Sequence, residues 1–336
     1  MPAEQHHKPL ERLPRVVVTR HLMPRIEERM KELFETELNS EDTPFSRERL
    51  IAAVRNCDVL VPTVTDRIDA ALIGAAGPNL RLIASFGAGT DHIDIEAAQK
   101  RGIIVTNTPG VFTDDTADIA MEMIIGIPRR VREGVALVRR GGWTGWTPTA
   151  LLGSKLAGKV LGIVGMGRIG QAVAHRARAF GLEIAYYNRR RLPEAVERMF
   201  AARHVATLDG LLGEADILTL HCPANEQSRH MIDARAFGLM KDGACLINTA
   251  RGDLVDQEAM IAALQSGRLA GAGLDVYSDE PEVDPRLLEV PNVMTLPHIG
   301  SATREGREDS GHRVIANIRV WADGHRPPDQ VLPNRM

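Results

Sequence analysis

The stretch KVLGIVGMGRIGQAVAHRARAFG, residues 159–181, constrains the fold more than any other part of the chain. An apolar run, KVLGIVG, reads as a buried strand. It leads straight into a glycine string, Gly165, Gly167 and Gly170, and then into the amphipathic pattern RIGQAVAHRARAFG. A G-x-G-x-x-G string alone says little, because glycine-rich turns are common. With a strand ending at its first glycine and a helix opening at its last, it is specific. The first glycine allows a tight turn. The second lets the backbone approach a pyrophosphate, with Arg168 and Ile169 following it. The third lets the helix pack on the sheet. Free amides and the positive dipole end of that helix then hold phosphate.

The rest of the chain repeats the βα rhythm. Its 336 residues suit two domains better than one. Strand-like runs in the first third are 15–19, 58–62, 81–85 and 103–107, with helical patterns PRIEERMKELFE and RERLIAAVRNC between them. Such runs, apolar on both faces, fit a buried parallel sheet. Pro109 and Gly110 then break the rhythm, and a long helical pattern runs from about Asp115 to Arg140. The segment GGWTGWTPTALLGSKLAGK reads as an extended loop. A second series of strands follows at 159–165, 183–188, 204–207, 216–221, 244–249, 270–276 and 293–297. The last helix, from about Thr303 to Gly324, has no strand after it and is expected to return to the first domain. Crossings are therefore expected near Pro109–Val111 and Ile299–Ala302. The expected class is α/β, with two doubly wound parallel-sheet domains.

Charge narrows the function. Lys plus Arg is 41 against 44 Asp plus Glu, a formal net charge of −3, so no basic field for nucleic acid is expected. No apolar stretch is long enough to span a bilayer, and the polar N-terminus has no signal-like core. Cys57, Cys222 and Cys245 show no metal spacing. Two of them sit in apolar runs as small hydrophobes. A cytoplasmic protein without a metal fits these features.

The strand EIAYYN ends where a nucleotide fold makes its cofactor choice. An Asp or Glu about 20 residues beyond the glycines commonly reads the free ribose hydroxyl of NAD. Here Asn188 stands 18 residues beyond Gly170, followed by Arg189, Arg190 and Arg191. An amide tolerates a 2′-phosphate and guanidinium groups bind one. One or two charged hydrogen bonds, at about 1.5–3 kcal/mol each, favour NADPH over NADH by about 10- to 1,000-fold. Arg189 is the first choice for the contact, Arg190 the second, and Arg191 is expected to be solvated.

Three strings, INTARGDLVD, LDVYSDEP and TLPHIGSAT, each follow an expected strand at the carboxyl edge where ligands of open α/β sheets sit. They offer Arg251, Glu280 and His298, which together suit reduction of a 2-oxo acid. Arg251 can fork onto the carboxylate and carbonyl oxygen. His298 can deliver the proton. Glu280 can bond the far ring nitrogen, fix the tautomer and favour imidazolium. Any one of them alone would be an ordinary surface or turn residue. Their joint position after the glycine loop gives them weight.

With these motifs, and with FGAGTDHID and NTPGVFTDDTAD before them, the chain resembles the D-isomer-specific 2-hydroxyacid dehydrogenases over about Val16 to Trp321. It is most similar to the NADPH-dependent glyoxylate/hydroxypyruvate reductases among them. The resemblance implies a flavodoxin-like substrate domain from residues 1–109 plus 300–336, a Rossmann domain from 110–299, and a homodimer formed through the Rossmann domains. It implies catalytic roles for Arg251, Glu280 and His298. The amides of Ala88 and Gly89 would grip the substrate carboxylate, as a glycine-rich anion nest can. Asp275 would contact the nicotinamide carboxamide, Thr116 and Ala250 would line the nicotinamide pocket, and Cys222 and Pro223 would flank the adenine. Trp146 matches a position where some members insert an aromatic side chain into the partner's active site.

The departures also count. Formate dehydrogenases carry glutamine where Glu280 stands, so formate oxidation is not expected. The chain ends soon after its last helix, so a regulatory domain is not expected. Leu22 and Met23 follow the first strand and are apolar, which leaves pocket size open. A reductase of bulkier acids such as phenylpyruvate or hydroxyphenylpyruvate is the alternative enzyme. A dinucleotide-sensing corepressor-like binding protein is the remote alternative, disfavoured by the arginines.

Overall fold

Val16 and Val18 are buried on one face of the first strand and Val17 on the other, so the run RVVV lies in a sheet covered on both sides. The structure is a computed structural model that describes residues 9–332. It divides into two compact units, one formed by the chain up to Phe112 together with the chain from Ala302, the other by Thr113–Ser301.

The first unit runs β1 (Arg15–Val18), α1 (Pro24–Leu33), β2 (Glu35–Glu37), α2 (Arg47–Asn56), β3 (Val59–Val61), α3 (Ala70–Gly74), β4 (Leu82–Ala84), α4 (Ile95–Lys100) and β5 (Ile104–Thr106). All pairings are parallel, in the order β2-β1-β3-β4-β5, the flavodoxin-like order. Helices α2, α3 and α4 cover one face through Leu50, Val54, Leu72, Ile73 and Ala98. The other face is covered by α1 and by α13 (Arg304–Ala322), which buries Val314, Ile318 and Trp321 beside Ile26 and Met30. Thr303 caps α13, its hydroxyl oxygen accepting from the Gly306 amide at 2.9 Å.

The second unit opens with α5 (Thr113–Gly126) and α6 (Val131–Arg139). It continues β6 (Val160–Val164), α7 (Arg168–Ala179), β7 (Glu183–Tyr187), α8 (Glu194–Phe200), β8 (Ala202–His204), α9 (Leu208–Glu214), β9 (Ile217–Leu220) and α10 (Ala234–Leu239). It ends β10 (Ala244–Asn248), α11 (Gln257–Gln265), β11 (Leu269–Leu274), α12 (Pro285–Glu289) and β12 (Val293–Thr295). The parallel sheet has the order β12-β11-β10-β9-β6-β7-β8. The winding direction reverses between β6 and β9, the switch point at which open α/β sheets hold ligands. Helices α5 and α7 pack on one face with Leu161, Ile163 and Ile247, while α9, α10 and α11 pack on the other with Leu218, Leu220 and Leu246.

Four sequence expectations need correction. Strand β2, with the sequence ETE, went unread because a three-residue polar edge strand has no apolar signature. The helical pattern from Asp115 to Arg140 is two helices. Pro128 has no amide to continue the first, and Arg130 turns left-handed (φ 53°) before the second. The strand expected at 204–207 lies at Ala202–His204, because left-handed Ala201 (φ 45°) ends α8 and sends the chain directly into the sheet. Helix α7 starts at Arg168 rather than at the last glycine. The Gly/Trp-rich segment is free of helix and strand from Gly141 to Lys159, as expected.

Candidate active site

The glycine loop joins β6 to α7. Gly165 has φ 95°, a left-handed backbone, and a Cβ there would stand 2.6 Å from the Cys222 amide nitrogen. Gly170 lies in the first turn of α7, where a Cβ would meet the Gly165 carbonyl oxygen at 2.4 Å. Gly167 caps the helix, and a Cβ there would meet nothing within 4 Å. An open cradle thus faces the N-terminus of a 12-residue helix, with Arg168 exposed and Ile169 half-buried beside it. These features fit a dinucleotide pyrophosphate.

Past β7, Asn188 turns its carboxamide back onto this loop, its Oδ1 accepting from the Met166 amide at 2.7 Å. Arg189 donates from Nη1 to Gln227 Oε1 at 2.8 Å, reaching the segment after β9. Arg190 is exposed and makes no hydrogen bond among the described residues. Arg191 is not simply solvated as expected: it makes a two-pronged pair with Glu197, Nε to Oε1 and Nη2 to Oε2, both at 2.8 Å. After β9, Cys222 is half-buried, its thiol pushed up to about 11 by burial, and Pro223 is exposed. Cys57 and Cys245 are buried. Burial drives the neighbouring His221 imidazole down to about 3, so that ring is neutral and bonds Thr219 Oγ1 at 2.9 Å.

Because all strands are parallel, the turns after β10, β11 and β12 share one edge. Arg251 stands three residues past β10, Glu280 six past β11, and His298 three past β12. His298 Nδ1 and Glu280 Oε2 are 2.7 Å apart, and Glu280 Oε1 accepts from the Tyr277 amide at 3.0 Å. A carboxylate can only accept, so Nδ1 carries the hydrogen and Nε2 is the nitrogen left for other chemistry. His298 is left-handed (φ 56°), an uncommon backbone for a side-chain-bearing residue. It is held there by buried Asp275, whose Oδ1 accepts from Ile299 N at 2.8 Å and Oδ2 from Gly300 N at 2.6 Å. Thr116, buried on α5, donates its hydroxyl to the Gly300 carbonyl at 3.0 Å. Burial pushes the Asp275 carboxyl above its usual value against the pull of those two amides.

Sequence reasoning missed three supports of this edge. Buried Asn248 donates from Nδ2 to the Arg251 carbonyl at 2.8 Å and accepts the Ala250 amide at 3.0 Å, which shapes the turn that carries Arg251. Gly252 lets that turn approach the next one, since a Cβ there would sit 2.1 Å from the Tyr277 carbonyl carbon. The Tyr277 hydroxyl donates to the Leu296 carbonyl at 2.9 Å, joining the Glu280 and His298 turns. The Asn of NTARG was the available signal for the first; nothing in the sequence marked Tyr277 out.

Burial pushes the Glu280 carboxyl up, but the His298 bond, the Tyr277 amide and the charges of His298 and Arg251 outweigh it and hold it below its usual range. A depressed folded value means that the carboxylate's contribution to stability is present above the unfolded value. It is lost only as pH falls through the lower folded one. A carbon-13 carboxyl titration, assigned by difference with Glu280→Gln, is expected to place the Glu280 midpoint below the ordinary glutamate value. A midpoint at or above that value would contradict this geometry.

In the first unit, the FGAGT turn follows β4. The Gly87 carbonyl accepts from Thr108 N at 2.9 Å and the Ala88 carbonyl from Asn107 Nδ2 at 2.7 Å. With those carbonyls tied back, the amides of Ala88 and Gly89 make no hydrogen bond among the described residues. Leu22 is buried in the core with Ile26 and Phe34, and Met23 packs partly buried against the same cluster. Trp146 is 83% exposed in its loop. Among the described residues, no group of three or more His, Cys, Asp or Glu is placed to hold a metal, and no helix is long and apolar enough to cross a membrane.

Residues 121–300 match the model of the D-isomer specific 2-hydroxyacid dehydrogenase NAD-binding domain. The chain belongs to this family. A curated relative, glyoxylate reductase of Thermococcus litoralis, is 45% identical over 322 residues, covering 95% of this chain and 96% of its own. A solved glyoxylate reductase from Paecilomyes thermophila superimposes with a TM-score of 0.86 at 35% identity, covering 96% of this chain and 99% of that one. The NADPH-dependent glyoxylate/hydroxypyruvate reductase of Sinorhizobium meliloti, in complex with NADP and malonate, gives 0.84 at 33% identity over 95% and 97%. As a D-2-hydroxyacid dehydrogenase, the chain is an oxidoreductase that uses a nicotinamide dinucleotide, and its glycine loop is the part that fits that cofactor.

Proposed function

We propose that the protein reduces a small 2-oxo acid, glyoxylate or hydroxypyruvate, to the D-2-hydroxy acid with NADPH. The observation that carries this reading is the His298–Glu280 pair at 2.7 Å, one strand along from Arg251 and on the same sheet edge as the glycine loop. The names of the relatives and the NADP-bound neighbour support it.

The bound cofactor supplies the hydride. Arg251 forks onto the substrate carboxylate and carbonyl oxygen and draws charge towards that oxygen. His298 donates the proton from Nε2 while Glu280 holds the ring from Nδ1. The amides of Ala88 and Gly89 are assigned to the substrate carboxylate. Asp275, Thr116 and Ala250 are assigned to the nicotinamide end, and Cys222 and Pro223 to the adenine. The pyrophosphate is assigned to Gly165, Gly167, Arg168, Ile169 and Gly170. Helix α6 exposes Val131, Val135 and Val138, and the loop that follows it exposes Trp143 and Trp146, apolar surface that suits a homodimer.

NADPH is preferred because Asn188 brings no negative charge to the ribose end while Arg189 and Arg190 bring positive charge. Initial rates with glyoxylate are expected to give a kcat/KM at least about tenfold higher with NADPH than with NADH. Replacing both Arg189 and Arg190 by serine is expected to remove most of that ratio. Equal use of the two cofactors by the unaltered protein would contradict the preference.

A further inference from the structure

The loop after β7 is tied at both ends. At its start, Asn188 is held by the Met166 amide. At its end, the Tyr186 hydroxyl accepts from the Leu192 amide at 3.0 Å and donates to Glu197 Oε1 at 2.6 Å, while Glu197 grips Arg191 with both oxygens. Only Arg189 and Arg190 lie between the two ties. Glu197 is 7% exposed and Arg191 largely exposed, so a buried carboxylate is spent on fixing a surface arginine. Burying a carboxylate costs free energy that an apolar residue would not, so this pair is a poor device for stability alone.

We propose that Glu197 and Tyr186 are positioning residues for cofactor choice: they draw Arg191 away from the ribose end and hold the loop so that Arg189 and Arg190 face a 2′-phosphate. This rests on the NADPH reading above and adds residues that touch no cofactor. The Arg191 and Tyr186 hydrogen bonds hold the Glu197 carboxyl down at about 2, so the latch stays charged at any working pH. Burial and the Glu197 bond push the Tyr186 phenol up to about 12, so it remains a donor.

The latch and direct ligation by Arg191 predict opposite signs. If the latch is right, Glu197→Gln and Arg191→Gln each raise the KM for NADPH by about 5- to 30-fold, the factor that corresponds to one or two kcal/mol. The KM for NADH moves less than about twofold and kcat is unchanged, because the chemistry is elsewhere. The double variant is no worse than the worse single one, since both break the same tie. Tyr186→Phe, which removes one hydroxyl and little else, shifts NADPH in the same direction and guards against a misfolded Glu197 variant. If Arg191 were itself the phosphate ligand, Glu197→Gln would free it and lower the KM for NADPH, and the latch would be wrong. Equal rises for NADPH and NADH would also overturn it, as a general loss of structure. If the unaltered protein shows no NADPH preference, the cofactor reading itself fails. A preference that survives all three single variants removes the latch alone.

Discussion

Replacing His298 by asparagine is expected to lower kcat by about 10²- to 10⁴-fold while NADPH binds as before. In the proposed reaction this side chain delivers the proton, and an amide cannot supply a proton to the forming alkoxide. Asparagine is the right probe for the backbone. It tolerates the left-handed conformation that position 298 adopts (φ 56°), whereas most residues would strain the turn. Its Nδ2 can still donate to Glu280, and Asp275 still holds the amides of residues 299 and 300. Single-turnover absorbance at 340 nm reads the chemical step, and quenching of protein fluorescence reads NADPH affinity. A variant that keeps its rate would place the proton donor elsewhere.

Arg251→Gln is expected to lower kcat/KM for the 2-oxo acid by about 10²- to 10³-fold, the effect of removing one donor aimed at a developing oxyanion. Both KM and kcat should suffer, because in the proposed reaction the fork serves the carboxylate in the ground state and the carbonyl oxygen in the transition state. The turn should survive, since Asn248 bonds the backbone of residues 250 and 251 and not the guanidinium. Arg251→Lys should recover little, because a point charge does not reproduce a planar fork. Steady-state rates over a range of glyoxylate concentrations check both variants. A loss confined to KM would reduce Arg251 to a binding residue.

Much of this was legible from sequence, for identifiable reasons. The strands VLGIV and ILTL were readable because both faces are buried, so nearly every position is apolar. The glycine positions were readable because Gly165 and Gly170 answer steric demands of the backbone, while Gly167 leaves the mouth of the helix open. Arg251, Glu280 and His298 could be grouped because parallel strands bring their turns to one edge. What was not legible depends on contacts distant in sequence or on weak local signals. The edge strand ETE pairs through its backbone, and its side chains carry no pattern. The break at Pro128 was hidden within an otherwise helical rhythm. Arg191 was expected to be solvated, because nothing local marked Glu197, one turn into α8, as its partner.

The proposed reaction is reduction of a small 2-oxo acid to the D-product by this one constellation. It is tested most directly by incubating the protein with NADPH and hydroxypyruvate, following cofactor loss at 340 nm, and resolving the glycerate formed by chiral chromatography. One D-glycerate is expected for each NADPH consumed. L-glycerate, a racemate, or no turnover with hydroxypyruvate, glyoxylate or phenylpyruvate would contradict it.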